Sequence, residues 1–324
     1  MVVHRAGVRV TRVRGRSGHG GRMDEVFTVA DARAAGVSDW AMRHGGFGRP
    51  ARGWRVRPAT TGSADLARHC LHLVATLPPG VAFSHGTALD LLGVDRPRGL
   101  PDPDLVHIEV PATAWRPRRN GLRAHRMPDS RRTLVRLRGG LLVVPPLQVW
   151  MQTAGQLVDD EVVVLGDALL RRRRPWCTLD EVVGAIDRVP AGTRGRRRLF
   201  QARARLRVDT DSCQETRLRL LLVASDLPCP EVNRPITDNQ GRFVALPDLS
   251  YPAARLAIEY DGDVHRTDPA TWQRDIARRR RLTAAGWRLL TCTSGDLRHP
   301  GPLLTEIRGL LSAEGAVPVG RAAR

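Results

Sequence analysis

A mixed α/β protein made of more than one folded region is what this sequence predicts, on three observations. At 324 residues and 42% hydrophobic composition, the chain exceeds one ordinary small domain and can fill two or three cores. Past residue 210 the pattern runs helix, strand, strand, strand, helix, strand, an α/β layer with a hairpin in its middle. Ahead of it, two short helices near the amino terminus and a strand-and-helix middle region are set apart from that layer by a run of arginines.

The formal net charge is +19 and the isoelectric point about 11.4. Such a surface attracts polyanions, so nucleic acid is the expected partner, ahead of an anionic membrane. No uninterrupted apolar run reaches the roughly 18–20 residues that span a bilayer, and LLVVPPLQVW is broken by two prolines. All 52 basic residues are arginine and none is lysine, for which a GC-rich genome is the plain explanation; no chemistry here can use a lysine. Cys70, Cys177, Cys213, Cys229 and Cys292 are scattered and show no C-x-x-C spacing. They point to a reduced cytoplasm, with neither a disulfide framework nor a zinc site.

Residues 1–22 carry six arginines and no acid. Without an apolar stretch for a signal peptide they read as a disordered basic tail, or as sequence upstream of a start at Met23. Residues 23–60 have helical spacing at Val29, Ala32 and Ala35, a break at Gly36, and an N-cap at Ser38 for a second helix, Asp39 to His44. Two short helices about a glycine turn, followed by the basic ribbon GRPARGWRVRP, describe a winged helix-turn-helix. Arg43, Arg49, Arg52 and Arg55 would then meet DNA phosphates or base edges. An ordinary helical hairpin with a basic turn is the other reading.

Residues 61–170 form an α/β connector. ADLARHCLHLVATL and SHGTALDLLGV read as helices, LVHIEVP as a strand, and LVDDEVVVLGDALLRRR as a helix whose last arginines suit its dipole. His85 and His125 are expected as solvated or capping residues. Residues 171–209 read as an arginine-rich linker entering a basic helix. Twelve arginines against three acids over 171–207 make either a solvated charge run or a phosphate contact, which would weaken steeply with salt. A disordered tail is expected at 313–324.

Residues 210–312 hold the chemistry. SCQETRLRLLLVAS is a helix, EVNRPIT a strand, RFVALPDLS and ARLAIEYDG the arms of a hairpin turning at YPA, ATWQRDIARRRRLTAAG a helix ended by Gly286, and WRLLTCT a strand. A last helix covers about 302–312. Glu259 and Asp261 stand two apart and so share one face. Asp248 can sit across from them if the hairpin closes. Convergent carboxylates on neighbouring strands suit Mg²⁺, a hard cation that takes oxygen ligands and keeps waters, with Mn²⁺ the alternative ion. An ionised glutamate beside LAI is costly to bury without a partner. The competing readings are structural: Ser212 and Glu215 have capping-box spacing, and Asp261-Gly262-Asp263 could form a simple turn.

The segments SCQETRLRLLL, GRFVALPDLSYP, LAIEYDGDVHR and LTAAGWRLL resemble the PD-(D/E)xK nuclease core as found in very-short-patch-repair-like endonuclease domains. That resemblance implies a restriction-endonuclease-like αβββαβ domain and Mg²⁺-dependent hydrolysis of DNA. It implies Asp248 and Glu259 as metal ligands, joined by the Tyr260 carbonyl, with Glu215 supporting a metal-bound water. Asp261 stands where the family name writes lysine. His265 could take over proton transfer, and Arg278 could stabilise phosphate charge. In the amino-terminal half, FTVADARAAGVSDWAMRHG, RGWRV, SHGTALDLLG and GDALLRR resemble AbiEi-type antitoxins, which implies DNA binding. The rival to the nuclease is therefore a non-catalytic DNA-binding regulator with a cognate toxin as partner.

Overall fold

The structure is a computed structural model that describes residues 26–28, 54–56, 63–102, 104–127, 134–137, 139–262 and 269–313. These divide into two compact units. One runs to Leu157 and takes in Gly192–Arg196; the other comprises Val158–Ala191 and the chain from Arg197 onward.

The first unit opens with an antiparallel pair, β1 (Val26–Thr28) and β2 (Trp54–Val56), in which Phe27 pairs in register with Arg55. The expected helix pair lies outside the described residues, as do Arg43, Arg49 and Arg52. Next come α1 (Ser63–Val74), β3 (Ala82–Phe83), α2 (His85–Leu92), β4 (Val106–Pro111), β5 (Leu122–Met127), β6 (Val135–Arg136), β7 (Leu142–Val143) and α3 (Pro146–Thr153). The strands form a mixed sheet ordered β5-β4-β3-β7-β6. Its core includes Phe83, Leu89, Ile108, Val110 and Val143, with Trp150 of α3 fully buried. Near-continuous burial along β4 fits a central strand covered on both faces.

The second unit begins with α4 (Asp159–Leu169), α5 (Leu179–Asp187), α6 (Arg196–Arg203) and α7 (Cys213–Ala224). The arginine-rich stretch is more ordered than a linker. Thr178 and Glu181 close a capping box at α5, which buries Val182, Ala185 and Ile186 at helical spacing. Arg198 pairs with Asp159, Arg203 with Asp187 and Arg205 with Asp160. Helix α4 stops at Leu169, before the arginines expected to finish it.

A four-stranded mixed sheet follows, ordered β13-β12-β11-β8. Its members are β8 (Glu231–Val232), β11 (Leu249–Tyr251), β12 (Leu256–Tyr260) and β13 (Arg288–Cys292), while β9 (Ile236–Thr237) and β10 (Phe243–Ala245) form a separate hairpin. The two long strands expected at EVNRPIT and RFVALPDLS are thus each divided in two. Asn233 adopts φ 43°, Pro235 has no N–H to give a ladder, and Pro247 breaks the second strand in the same way. The expected turn at YPA is present as a 3-10 turn over Pro252–Ala254, closed by Arg255 in the left-handed region.

Helix α8 (Pro269–Ala284) crosses over to β13, parallel to β12; α9 (Ser294–Arg298) and α10 (Gly301–Ala313) complete the unit. Gly286, at φ 77°, ends the α8 turn as expected, and a Cβ there would meet the Arg255 guanidinium at 2.7 Å. The sheet buries both faces. Leu249, Leu256 and Ile258 pack with Leu218 and Leu222 of α7 and with Leu303, Ile307 and Leu311 of α10. Ala257 packs on the opposite side with Leu282 of α8 and with Ile236 and Val244.

Helices α4 and α7 are joined by buried charge. Asp167 accepts from Arg219 Nη2 at 2.7 Å, Thr216 Oγ1 at 3.0 Å and the Arg207 amide at 2.8 Å, and the Asp167–Arg219 side chains are 0% and 2% exposed. Arg217 grips both oxygens of Glu161 at 2.7 Å. Removing one partner of such a pair strands the other charge in the core. Arg219→Ala is therefore expected to destabilise the chain by about 3–5 kcal/mol, read from urea unfolding. Loss of under about 1 kcal/mol, the worth of an exposed pair, would contradict this account.

Candidate metal centre

The carboxylates singled out from sequence come from three elements of the second unit. Ser212 caps α7 by accepting from the Glu215 amide at 3.2 Å, as the spacing requires. The Glu215 side chain does not complete the box on Ser212. Its Oε2 accepts from the Asp211 amide at 2.9 Å and from Asn233 Nδ2 at 3.2 Å, and the residue is only 4% exposed.

Asp248 directly precedes β11. The register pairs Leu249 with Ile258, so one step further along the hairpin Asp248 comes opposite Glu259. The Tyr260 amide donates to Asp248 Oδ2 at 2.8 Å, tying that carboxylate to the end of β12. On β12, Leu256 and Ile258 enter one core while Ala257 enters the other; the pleat puts Glu259 on the Ala257 face. There Arg278 of α8 reaches Glu259 Oε2 at 2.5 Å. Asp261 extends the ladder one residue past β12, its amide donating to the Cys292 carbonyl at 2.7 Å. His265 lies outside the described residues.

Asn233 was not singled out by the sequence, yet it links these groups. Its amide donates to the Asp248 carbonyl at 3.0 Å and its Nδ2 to the Asp209 carbonyl and to Glu215. The left-handed backbone that breaks the strand is what turns this side chain toward Glu215, and asparagine tolerates that conformation. An Asn-Arg-Pro interruption in a strand pattern was the available signal.

Electrostatics follow from this crowding. Burial, then the charge of Glu215 and that of Glu259, push the Asp248 carboxyl up to about 7, against the opposing Tyr260 hydrogen bond and Arg278. Burial also raises Glu215, against its three hydrogen bonds. Carboxylates that repel one another in a half-buried site form an oxygen-donor set that a hard divalent cation would neutralise, so Asp248 and Glu259 fit such an ion. Three ligand groups within 4.8 Å of one another occur, among the described residues, only at His85, His107 and His125 in the first unit. His85, expected as a solvated or capping residue, is instead buried at 6% exposed, and His125, expected likewise, is half-buried; His107, for which the sequence set no expectation, is 4% exposed.

The fold and this donor set define a class: a mixed α/β protein with a carboxylate site across two sheet strands. The chain is 30% identical over 226 residues to an uncharacterized protein of Mycobacterium tuberculosis, MT2308 in strain CDC 1551 and Rv2248 in strain H37Rv, covering 68% of this chain and 78% of the relative. It belongs to the same family as that mycobacterial protein. No family model matches the chain. Among solved structures, the catalytic domain of the homing endonuclease I-Bth0305I aligns over 31% of this chain and 94% of its own, at 21% identity and a TM-score of 0.24, too weak a likeness to assign a fold. No helix among the described residues is long and apolar enough to cross a membrane.

The raised Asp248 carboxyl has a consequence for stability. Its folded value, about 7, lies above the ordinary 3.8, so the folded protein holds a proton that the unfolded chain releases. That contribution is complete below about pH 4 and lost as pH rises to about 7. Asp248→Asn is therefore expected to raise the melting temperature of chelator-treated protein at pH 8 by several degrees and leave it nearly unchanged at pH 4. Equal shifts at both pH values would show that the carboxyl is not held neutral by folding.

Proposed function

We propose that this protein is a DNA-binding, divalent-metal-dependent endonuclease. The observation that carries the reading is the meeting of Asp248 and Glu259 across β11 and β12, with Glu215 close enough to raise the Asp248 carboxyl. In this reading Asp248 and Glu259, with the Tyr260 carbonyl, would hold Mg²⁺ or Mn²⁺. The ion would supply an activated water and neutralise charge on the phosphodiester. Glu215, fixed by Asn233 and the Asp211 amide, would orient the water. Asp261 or His265 would accept a proton, since the chain has no lysine to do so. Arg278, released from Glu259 when substrate enters, meets phosphate charge. The arginine excess, including Arg43, Arg49, Arg52 and Arg55, supplies sequence-independent affinity for the DNA backbone.

One observation favours a second reading. The Arg278–Glu259 ion pair already neutralises a proposed ligand, as expected of a domain that serves only as a scaffold in a DNA-binding regulator, with a toxin as its partner. The two readings separate on cleavage. Plasmid and mismatched duplex are incubated at low salt with Mg²⁺, Mn²⁺ or EDTA, using wild type and Glu259→Ala. The nuclease reading expects metal-dependent nicking that falls at least about 100-fold in the variant while DNA binding persists. Binding by both proteins with no cutting under any metal supports the regulator.

DNA affinity is expected to drop about 10³-fold or more between 50 and 200 mM salt if six or more phosphates are contacted. A filter-binding series measures it, and a flat salt response would remove nucleic acid as the partner under either reading.

A further inference from the structure

The first unit holds a cluster that the carboxylate site does not use. His107 lies on β4 and His125 on β5, parallel neighbours in which His107 pairs with Arg123 and Glu109 with His125. His107 and His125 therefore share a sheet face two residues apart. His85 is the first residue of α2 and has φ 49°, a left-handed conformation unusual for a side chain of this size. Ligand nitrogens of the three rings all lie within 4.8 Å of one another.

We propose that His85, His107 and His125 form a binding site for a transition-metal dication of the Zn²⁺ class, with a fourth position left for water. Imidazole suits Zn²⁺, whereas Mg²⁺ prefers oxygen, so this ion differs in kind from the one suited to Asp248 and Glu259. In two of the three rings the second nitrogen is already engaged as in a ligating histidine, whose non-ligating nitrogen is held by a neighbouring polar group. His107 Nε2 lies 3.2 Å from the Asp102 carbonyl and His85 Nδ1 lies 3.1 Å from Ser84 Oγ. That leaves His107 Nδ1 and His85 Nε2 to face the ion. His107 Nδ1 and His125 Nε2 are 3.0 Å apart. Two nitrogens on a tetrahedral Zn²⁺, each at about 2.0–2.1 Å, stand roughly 3.3 Å apart, so an ion would take the place of the proton these two now share. That proton moves to His125 Nδ1, and no ring changes charge.

The third ligand needs a movement. His85 and His125 are stacked, with centroids 3.8 Å apart and planes at 14°. An ion in the plane of one such ring lies out of the plane of the other, so the His85 ring must swing out of the stack to ligate. Glu109, on the same face, accepts from Gln152 Nε2 at 2.8 Å. Burial keeps all three rings in the neutral form that a metal accepts.

The test uses the full chain, stripped with chelator and titrated with Zn²⁺ against a chromophoric competitor, then loaded with Co²⁺. One Zn²⁺ per chain is expected, undisturbed by a large excess of Mg²⁺. The Co²⁺ form should show visible ligand-field bands and no strong near-ultraviolet thiolate band. His125→Gln and His107→Gln, checked for folding by circular dichroism, should each lose at least about 100-fold in Zn²⁺ affinity. His125 is only half-buried, and the Co²⁺ spectrum of the wild type needs no variant, so the test survives if His107→Gln unfolds. Absence of stoichiometric Zn²⁺ binding, unchanged affinity in folded His125→Gln, or a thiolate band would each overturn the proposal and leave a metal-free stack of hydrogen-bonded imidazoles.

Discussion

The second unit depends on the register of β11 against β12. With Leu249 opposite Ile258 and Tyr251 opposite Leu256, Leu256 and Ile258 fill the core made with α7 and α10, and Glu259 faces α8. A slip of one residue would exchange every side chain between faces. It would drive Glu259 among leucines and push Ile258 toward Arg278. The apolar residues therefore hold the register, and the register delivers the carboxylates. The strand β12 is thus divided: its first residues specify position and its last ones meet Asp248.

The chain's use of arginine runs through both roles of charge. Most of the excess is a property of the surface, where pairs such as Arg203–Asp187 contribute at most about 1 kcal/mol. Arg217 and Arg219 do something different. They attach α7 to α4 through Glu161 and Asp167, and α7 carries Glu215. Burial still holds the Asp167 carboxyl up, at about 6, despite Arg219. The orientation of Glu215 thus rests on paired charges deep in the unit, and on Asn233 at its other end.

The two clusters of ligand-type residues differ in chemistry. The carboxylates of the second unit are mutually repelling oxygen donors; the histidines of the first are neutral nitrogen donors, His107 hydrogen-bonded to His125 and His85 stacked on it. Different ions would suit them, and each cluster lies wholly within its own unit.

Much of this was legible in the sequence because it is carried by local pattern. Periodicity gave α1, α2, α7 and β4, Gly286 marked the end of α8, and YPA marked the turn between β11 and β12. Asp248 and Glu259 stood out because acids beside apolar strand residues require partners, and Glu215 through its capping-box spacing after Ser212 and the nuclease resemblance. What the sequence could not reveal depends on groups distant along the chain. The splitting of the hairpin strands follows from how Asn233, Pro235 and Pro247 distribute backbone hydrogen bonds between two sheets. The Arg278–Glu259 pair needs α8 laid across β12. The three histidines sit 22 and 18 residues apart, with no spacing that marks a site, and only the parallel pairing of β4 with β5 beneath the start of α2 brings them together. Local patterning sets which residues face inward; the closing of the sheets decides which of them meet, because contacts between strands depend on register and crossover, which no short stretch of sequence encodes.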